Sequence, residues 1–128
     1  MDIIESKTTH GYTLKVTRSL DRTTCGDLEQ ALALLAEKWD GAMWLDIAEL
    51  QAIDSAGLTL FLRWHRSCLN ENRRFGIVGT NPFHRKLLEI TRLDEELMLF
   101  DEPGGVRISL YRPTPWKSSD DPTIIEVP

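Results

Sequence analysis

The pair Asp54-Ser55 directly precedes an apolar helix pattern, and it is the place in this sequence where chemistry is most readily argued. Either side chain can cap the helix, because its oxygen can accept hydrogen bonds from the free amides of the first turn. The helix N-terminus also favours negative charge, so the fold would tolerate a phosphate on Ser55. That phosphate would add about −1.5 to −2 charges beside Asp54. On local physics alone a simple cap is the commoner role, and a regulatory role needs further support.

The cysteines and histidines predict no second reactive site. Cys25 and Cys68 form no CxxC pair, so neither a zinc site nor a redox dithiol is indicated. Cys25 lies near a helix start, where the pKa of a thiol can be lowered, but Ala31 stands where a cysteine phosphatase needs its arginine. The three histidines lack the spacing of metal ligands, and no nucleotide-binding glycine motif occurs. We therefore expect a protein without enzyme activity, metal or cofactor.

The charge balance is acidic, with 15 Lys and Arg against 20 Asp and Glu and a net charge of −5, so binding to nucleic acid is not expected. Basic residues still crowd the region of the second and third predicted helices. They are Arg63, Arg66, Arg73, Arg74, Arg85, Lys86 and Arg92. We interpret them as a solvated face; the alternative is electrostatic steering toward an acidic partner surface.

The absence of a signal-peptide pattern and of a long apolar run predicts a cytoplasmic protein without membrane insertion.

The elements that position Ser55 follow from the apolar periodicity. Alternation of apolar and polar residues predicts two strands within residues 2–20. A stripe at helical spacing predicts a helix over 26–39. The apolar run 42–47 predicts a buried strand, and a loop over 48–53 is expected to lead to a helix from residue 55 to about residue 72. The expected inward face of that helix is Leu58, Phe61, Leu62, His65, Cys68 and Leu69.

The remaining elements complete an alternation of strands and helices. Residues 75–78 and 97–100 predict strands, and Asn81-Pro82 predicts the start of a third helix. The expected inward residues of that helix are Phe83, Leu87, Leu88 and Ile90. This order predicts an α/β fold, with a mixed, mostly parallel sheet of four to five strands and helices packed on it. We expect a single domain over 1–111, in which 106–111 can add a strand, and an extended or flexible C-terminal tail over 112–128.

Two stretches of this sequence resemble the STAS domain, the fold of bacterial anti-sigma factor antagonists. The first is Trp44-Leu45-Asp46-Ile47, a loop, and then Ile53-Asp54-Ser55-Ala56-Gly57-Leu58. The second joins 75–79 to 81–91, a strand, a loop and a helix in that family. The resemblance covers roughly residues 10–101.

The resemblance implies partner switching. Antagonists of this family bind an anti-sigma factor that is also an ATP-dependent serine kinase; the kinase phosphorylates the serine matching Ser55 and so ends the complex, and a PP2C-type phosphatase restores it. The expected partner-binding residues are Asp21, Asp46, Asp54, Ser55, Ala56, Gly57 and Leu58. Asp46 is expected beside the same loop as Ser55, at the end of the buried strand.

Two departures and two alternatives accompany this interpretation. Family members often have glycine where this chain has Ser19 and Arg92. The first alternative keeps the fold and makes the protein an accessory subunit of a bacterial ABC ATPase for lipid transport, with phosphorylation irrelevant. The second, a two-component receiver domain, is disfavoured. Asp46 could be matched to the phosphoacceptor aspartate of a receiver, but the acidic pair and the late lysine that a receiver needs have no convincing counterparts in this sequence.

Overall fold

A six-stranded mixed sheet with the strand order β1-β2-β3-β4-β5-β6 organises the protein. The architecture comes from a computed structural model, which describes residues 1–108. The strands are β1 (Ile3–Thr8), β2 (Gly11–Leu20), β3 (Met43–Ile53), β4 (Phe75–Val78), β5 (Leu99–Phe100) and β6 (Arg107–Ile108). The helices are α1 (Cys25–Lys38), α2 (Ser55–Asn70) and α3 (Pro82–Ile90), and a 3-10 turn spans Leu93–Glu95.

The four inner strands pair in parallel, and the edge strands β1 and β6 pair antiparallel to their neighbours. This confirms the predicted α/β fold with a mixed, mostly parallel sheet. The sheet has six strands within residues 1–108 rather than four to five, because residues 107 and 108 add a short strand beside β5. Residues 109–111 of the predicted last strand and the predicted tail over 112–128 lie outside the described residues.

The predicted loop over residues 48–53 is wrong, because β3 continues to Ile53. It stays paired with β2, but the register of the pairing shifts twice. After the first shift Thr17 lies opposite Glu49, and after the second Ser19 lies opposite Ala52. These shifts break the alternation of apolar and polar residues that a sequence pattern would show. The extension carries the chain from the core, past the end of β4, to the start of α2.

The main core lies between the helices and one face of the sheet. Its largest fully buried aliphatic side chains include Leu14, Leu28, Leu32, Leu45, Ile47 and Leu60. A smaller cluster of Trp44, Val78 and Phe100 is separate from this core. Trp44 alternates with the core residues Met43 and Leu45 along β3, which places it on the opposite face of the sheet.

Three of the predicted inward residues are exposed instead: Leu69 at 55 %, Phe83 at 54 % and Ile90 at 69 %. In α3 the predicted inward residue Leu88 is buried, and so is His84, which was not predicted. Its Nδ1 accepts a hydrogen bond from the Asn81 amide at 3.3 Å, and Nε2 lies 2.7 Å from the Leu50 carbonyl of β3. The predicted cap at Asn81 is confirmed, since its side chain accepts a hydrogen bond from the His84 amide.

Candidate functional site

The candidate site forms where β3 ends and α2 begins. Asp54 is the N-cap of α2, and its Oδ1 accepts a hydrogen bond from the Gly57 amide at 3.1 Å. Its own amide donates to the Leu20 carbonyl at the end of β2, also at 3.1 Å. Of the two residues that could cap this helix, Asp54 is therefore the one that does so.

Ser55, the first residue of α2, is exposed. Its carbonyl accepts a hydrogen bond from the Thr59 hydroxyl at 2.8 Å, as expected inside a helix. The Ser55 hydroxyl itself makes no hydrogen bond within residues 1–108, and the cap of α2 is supplied by Asp54. A modification of this oxygen would thus leave the helix cap in place.

A second loop, between β2 and α1, lies against this helix start. The Arg22 amide donates to Asp54 Oδ2 at 3.2 Å, which joins the two loops. Asp21 Oδ1 accepts hydrogen bonds from the Thr23 hydroxyl at 2.5 Å and the Thr23 amide at 2.8 Å. These two bonds hold the pKa of the Asp21 carboxyl below its usual value, and the bond from the Thr23 hydroxyl contributes more than the bond from the amide. The predicted residues Asp21, Asp54 and Ser55 are thus brought together.

Gly57 packs into the interior of the fold. A β-carbon at this position would lie 2.9 Å from Leu20 Cγ and 3.0 Å from Ile53 Cγ2. Glycine is needed here because the start of α2 approaches the ends of β2 and β3 so closely. Leu58 is also largely buried, at 7 % exposure, and Ala56 is half-buried.

A shallow groove of about 200 Å³ runs beside Ser55, between α2 and the segment that follows α3. It is lined by Ser55, Leu58, Thr59, Leu62, Thr91 and Leu93. Reasoning from the sequence missed this groove, although residues 55, 58, 59 and 62 have the spacing of one helix face. The contribution of Thr91 and Leu93 depends on tertiary packing and has no local signal.

Asp46 lies elsewhere. It pairs with Lys15 of β2 and Val78 of β4, and its Oδ1 accepts a hydrogen bond from the Ala48 amide at 2.9 Å. Because β3 continues for seven residues beyond Asp46, the strand end that leads to Ser55 lies on the order of 20 Å away along β3. The expectation that it stands beside the same loop was wrong.

Neither cysteine has the environment of a reactive thiolate. Burial, followed by the nearby carboxylates of Asp54 and Asp21, raises the pKa of Cys25, contrary to the lowering that its place near a helix start suggested. Burial raises the pKa of Cys68 to about 11.

No cluster of His, Cys, Asp and Glu within residues 1–108 has an arrangement that could hold a metal ion. Within this range no helix combines the length and the apolar composition that a membrane span requires.

Several of the basic residues of α2 and its surroundings have carboxylate partners. Arg63 pairs with Glu29 at 3.4 Å, Arg66 with Glu96 at 2.6 Å, and Arg92 with Glu95 at 3.3 Å. Arg73, largely buried, pairs with Glu71 at 3.7 Å and also donates a hydrogen bond to the Trp39 carbonyl just after α1. These pairs favour a solvated, partly neutralised face over a strongly basic docking surface.

A family model described as "Mlab, STAS domain" matches residues 4–100. No curated protein matches the chain. Among the solved structures that resemble it over most of their length are three that are described as anti-sigma factor antagonists.

The first is a candidate antagonist from Thermotoga maritima, with a TM-score of 0.72 and 16% identity over 80% of this chain and 88% of that one. The second, from Mycobacterium paratuberculosis, has a TM-score of 0.62 and 23% identity over 79% and 86%. The third is SpoIIAA in its unphosphorylated form, with a TM-score of 0.64 and 16% identity over 79% and 90%. At these identities the likeness shows the fold alone.

Proposed function

Because this chain belongs to the STAS domain family, we propose that it is an anti-sigma factor antagonist that works by partner switching. In its unphosphorylated form it binds an anti-sigma factor that is also a serine kinase. Phosphorylation of Ser55 by that kinase ends the complex, and a PP2C-type phosphatase restores it. The protein is then a ligand and a substrate, without catalysis of its own.

The observation that carries this proposal is the free hydroxyl of Ser55. A kinase needs an acceptor oxygen that is exposed and not committed to the fold. Ser55 is exposed, and Asp54 rather than Ser55 supplies the cap of α2. A phosphate can therefore be added and removed without the loss of a cap, which would cost about 1 kcal/mol.

The groove beside Ser55 supports a reason why a phosphate would weaken binding. Leu58, Leu62 and Leu93 offer apolar surface to a side chain of the partner. A phosphate on Ser55 would stand at the edge of this groove with about −1.5 to −2 charges. A partner that covered the groove would have to remove water from that charge, which is costly unless the charge is paired. The switch thus acts on the surface and leaves the fold intact.

Affinity capture from a lysate of the source organism tests this proposal. The baits are the wild type, Ser55→Ala, Ser55→Asp and the control Ser67→Asp, which places the same charge on an exposed residue three turns further along α2. Bound proteins are identified by mass spectrometry. We expect a serine-kinase anti-sigma factor with the wild type, Ser55→Ala and Ser67→Asp, and its loss with Ser55→Asp. Such a kinase bound equally by all four baits would contradict the switch.

The second candidate is an accessory subunit of a bacterial ABC ATPase for lipid transport. The observation that favours it is the description of the matching family model, which is Mlab rather than anti-sigma factor antagonist. The same capture experiment separates the two candidates. Recovery of an ABC ATPase by all four baits would support the second, with Ser55 as an ordinary exposed residue.

A further inference from the structure

The β2–α1 loop brings an arginine next to the proposed phosphorylation site. The Arg22 amide donates to Asp54 Oδ2 at 3.2 Å, and Ser55 is the residue that follows Asp54. Arg22 is exposed, so its side chain is not committed to the core. An arginine side chain is long and flexible, and from this backbone position it can extend toward the Ser55 oxygen.

Two carboxylates and two paired arginines lie on the elements around Ser55. Asp54 and Asp21 are carboxylates on the two loops, and after burial they are the main causes that raise the pKa of Cys25. On the neighbouring elements, Arg63 of α2 pairs with Glu29 of α1, and Arg92, after α3, pairs with Glu95. The guanidinium of Arg22 forms no ion pair within residues 1–108.

A phosphate on Ser55 would add its charge beside two carboxylates, and such like-charge contacts are unfavourable unless a cation compensates them. Arginine suits this role because its planar guanidinium can donate two parallel hydrogen bonds to phosphate oxygens. On the basis of the proposed phosphorylation of Ser55, we propose that Arg22 pairs with the phosphate within the same molecule. The modified form then carries a salt bridge that ties the β2–α1 loop to the start of α2.

This pairing deepens the proposed switch. Asp21 and Asp54 are expected to contact the partner, and the loop that holds Asp21 is the one that Arg22 would draw toward the phosphate. Phosphorylation would thus alter two neighbouring parts of the contact surface, the groove and the β2–α1 loop. Arg22 acts here as a positioning residue for the phosphate.

Phosphorus-31 NMR of a protein with phosphoserine placed at position 55 during translation tests this inference without any kinase or partner. The second pKa of phosphoserine is normally about 6, and a paired guanidinium lowers it. We expect the pKa in Arg22→Gln to exceed that of the otherwise unchanged phosphoprotein by about 0.2–0.7, the range for an exposed ion pair. Arg22→Gln keeps the backbone amide that bonds to Asp54, so the loop itself stays in place.

Arg63→Gln and Arg92→Gln, each in the phosphorylated protein, are the matched controls. We expect little change in either, because those arginines have carboxylate partners. Equal titration curves with and without Arg22, or a larger change in either control, would overturn the inference. Because no partner protein takes part, this result is independent of the capture experiment: Ser55 can prove to be a switch without Arg22, and Arg22 can pair with an installed phosphate even if no kinase acts in the cell.

Discussion

The carboxylate of Asp54 accepts a hydrogen bond from the backbone amide of Arg22, 32 residues earlier in the chain. Its other oxygen accepts the Gly57 amide, and its own amide donates to the Leu20 carbonyl. One residue thus caps α2 and joins the two loops of the candidate site. The position of Ser55 relative to the β2–α1 loop depends on Asp54.

Asp54→Ala should therefore lower the free energy of unfolding by about 1–2 kcal/mol, the upper part of the range for a lost cap, because a bond between loops is lost as well. Asp54→Asn keeps an acceptor oxygen and should lose less. Urea denaturation monitored by circular dichroism measures both. Ser55→Ala is the matched control at the next residue. Its free energy of unfolding should stay within about 0.5 kcal/mol of the wild type, since the Ser55 hydroxyl makes no hydrogen bond within the described residues. Equal losses at residues 54 and 55 would mean that the cap is wrongly assigned.

Much of this site could be predicted from the sequence, because its elements have strong local patterns. The apolar stripe of α1, the alternation in β2 and the helix start after residue 54 all come from residues close together in the chain. The importance of Ser55 came from the resemblance to the STAS domain, and membership of that family is confirmed. Local pattern left the cap undecided between Asp54 and Ser55.

The parts that could not be predicted depend on contacts between distant residues. The hydrogen bond between Arg22 and Asp54 has no local signal, and neither has the contribution of Leu93 to the groove. In α3, Phe83 and Ile90 were expected inside because they are apolar, but a nine-residue helix has room for one buried stripe only. His84 can be buried there because its Nε2 donates a hydrogen bond to the Leu50 carbonyl of β3.

His84 should be important for stability although it is far from Ser55 in the chain. Since the Leu50 carbonyl can only accept, His84 Nε2 donates to it, while Nδ1 accepts the Asn81 amide. His84→Ala leaves a buried carbonyl without its donor and a cavity beside β3, and we expect a loss of about 2–4 kcal/mol. His84→Gln can still donate to Leu50 and should recover part of that loss in the same urea experiment. If the glutamine variant is no more stable than the alanine variant, packing alone explains the role of His84.

Asp21 should make the fold sensitive to acid. The Thr23 hydroxyl and amide lower the pKa of this carboxyl in the folded state below the value of 3.8 that is usual for aspartate. A group of this kind contributes stability that is fully present above its unfolded pKa and is lost as the pH falls through its folded pKa. Thr23→Ala removes the hydroxyl and should raise the pKa of Asp21, measured by carbon-13 NMR of the carboxyl. The same variant should lose less stability than the wild type between about pH 5 and pH 2. An unchanged Asp21 titration in Thr23→Ala would show that the hydroxyl is not the cause.

Arg92, which stands where STAS domains often have glycine, has the left-handed backbone conformation, with φ of 62° and ψ of 18°. A side chain in this region costs about 1–2 kcal/mol relative to glycine, although glycine loses more entropy on folding. Arg92→Gly should therefore raise the free energy of unfolding by about 0.5 kcal/mol, even though it loses the exposed pair with Glu95. Arg92→Ala loses the same pair but keeps the β-carbon, and it should not be more stable than the wild type. Chemical denaturation of the three proteins decides between backbone strain and the ion pair: if the glycine variant is no more stable than the alanine variant, the left-handed conformation at residue 92 carries no measurable strain.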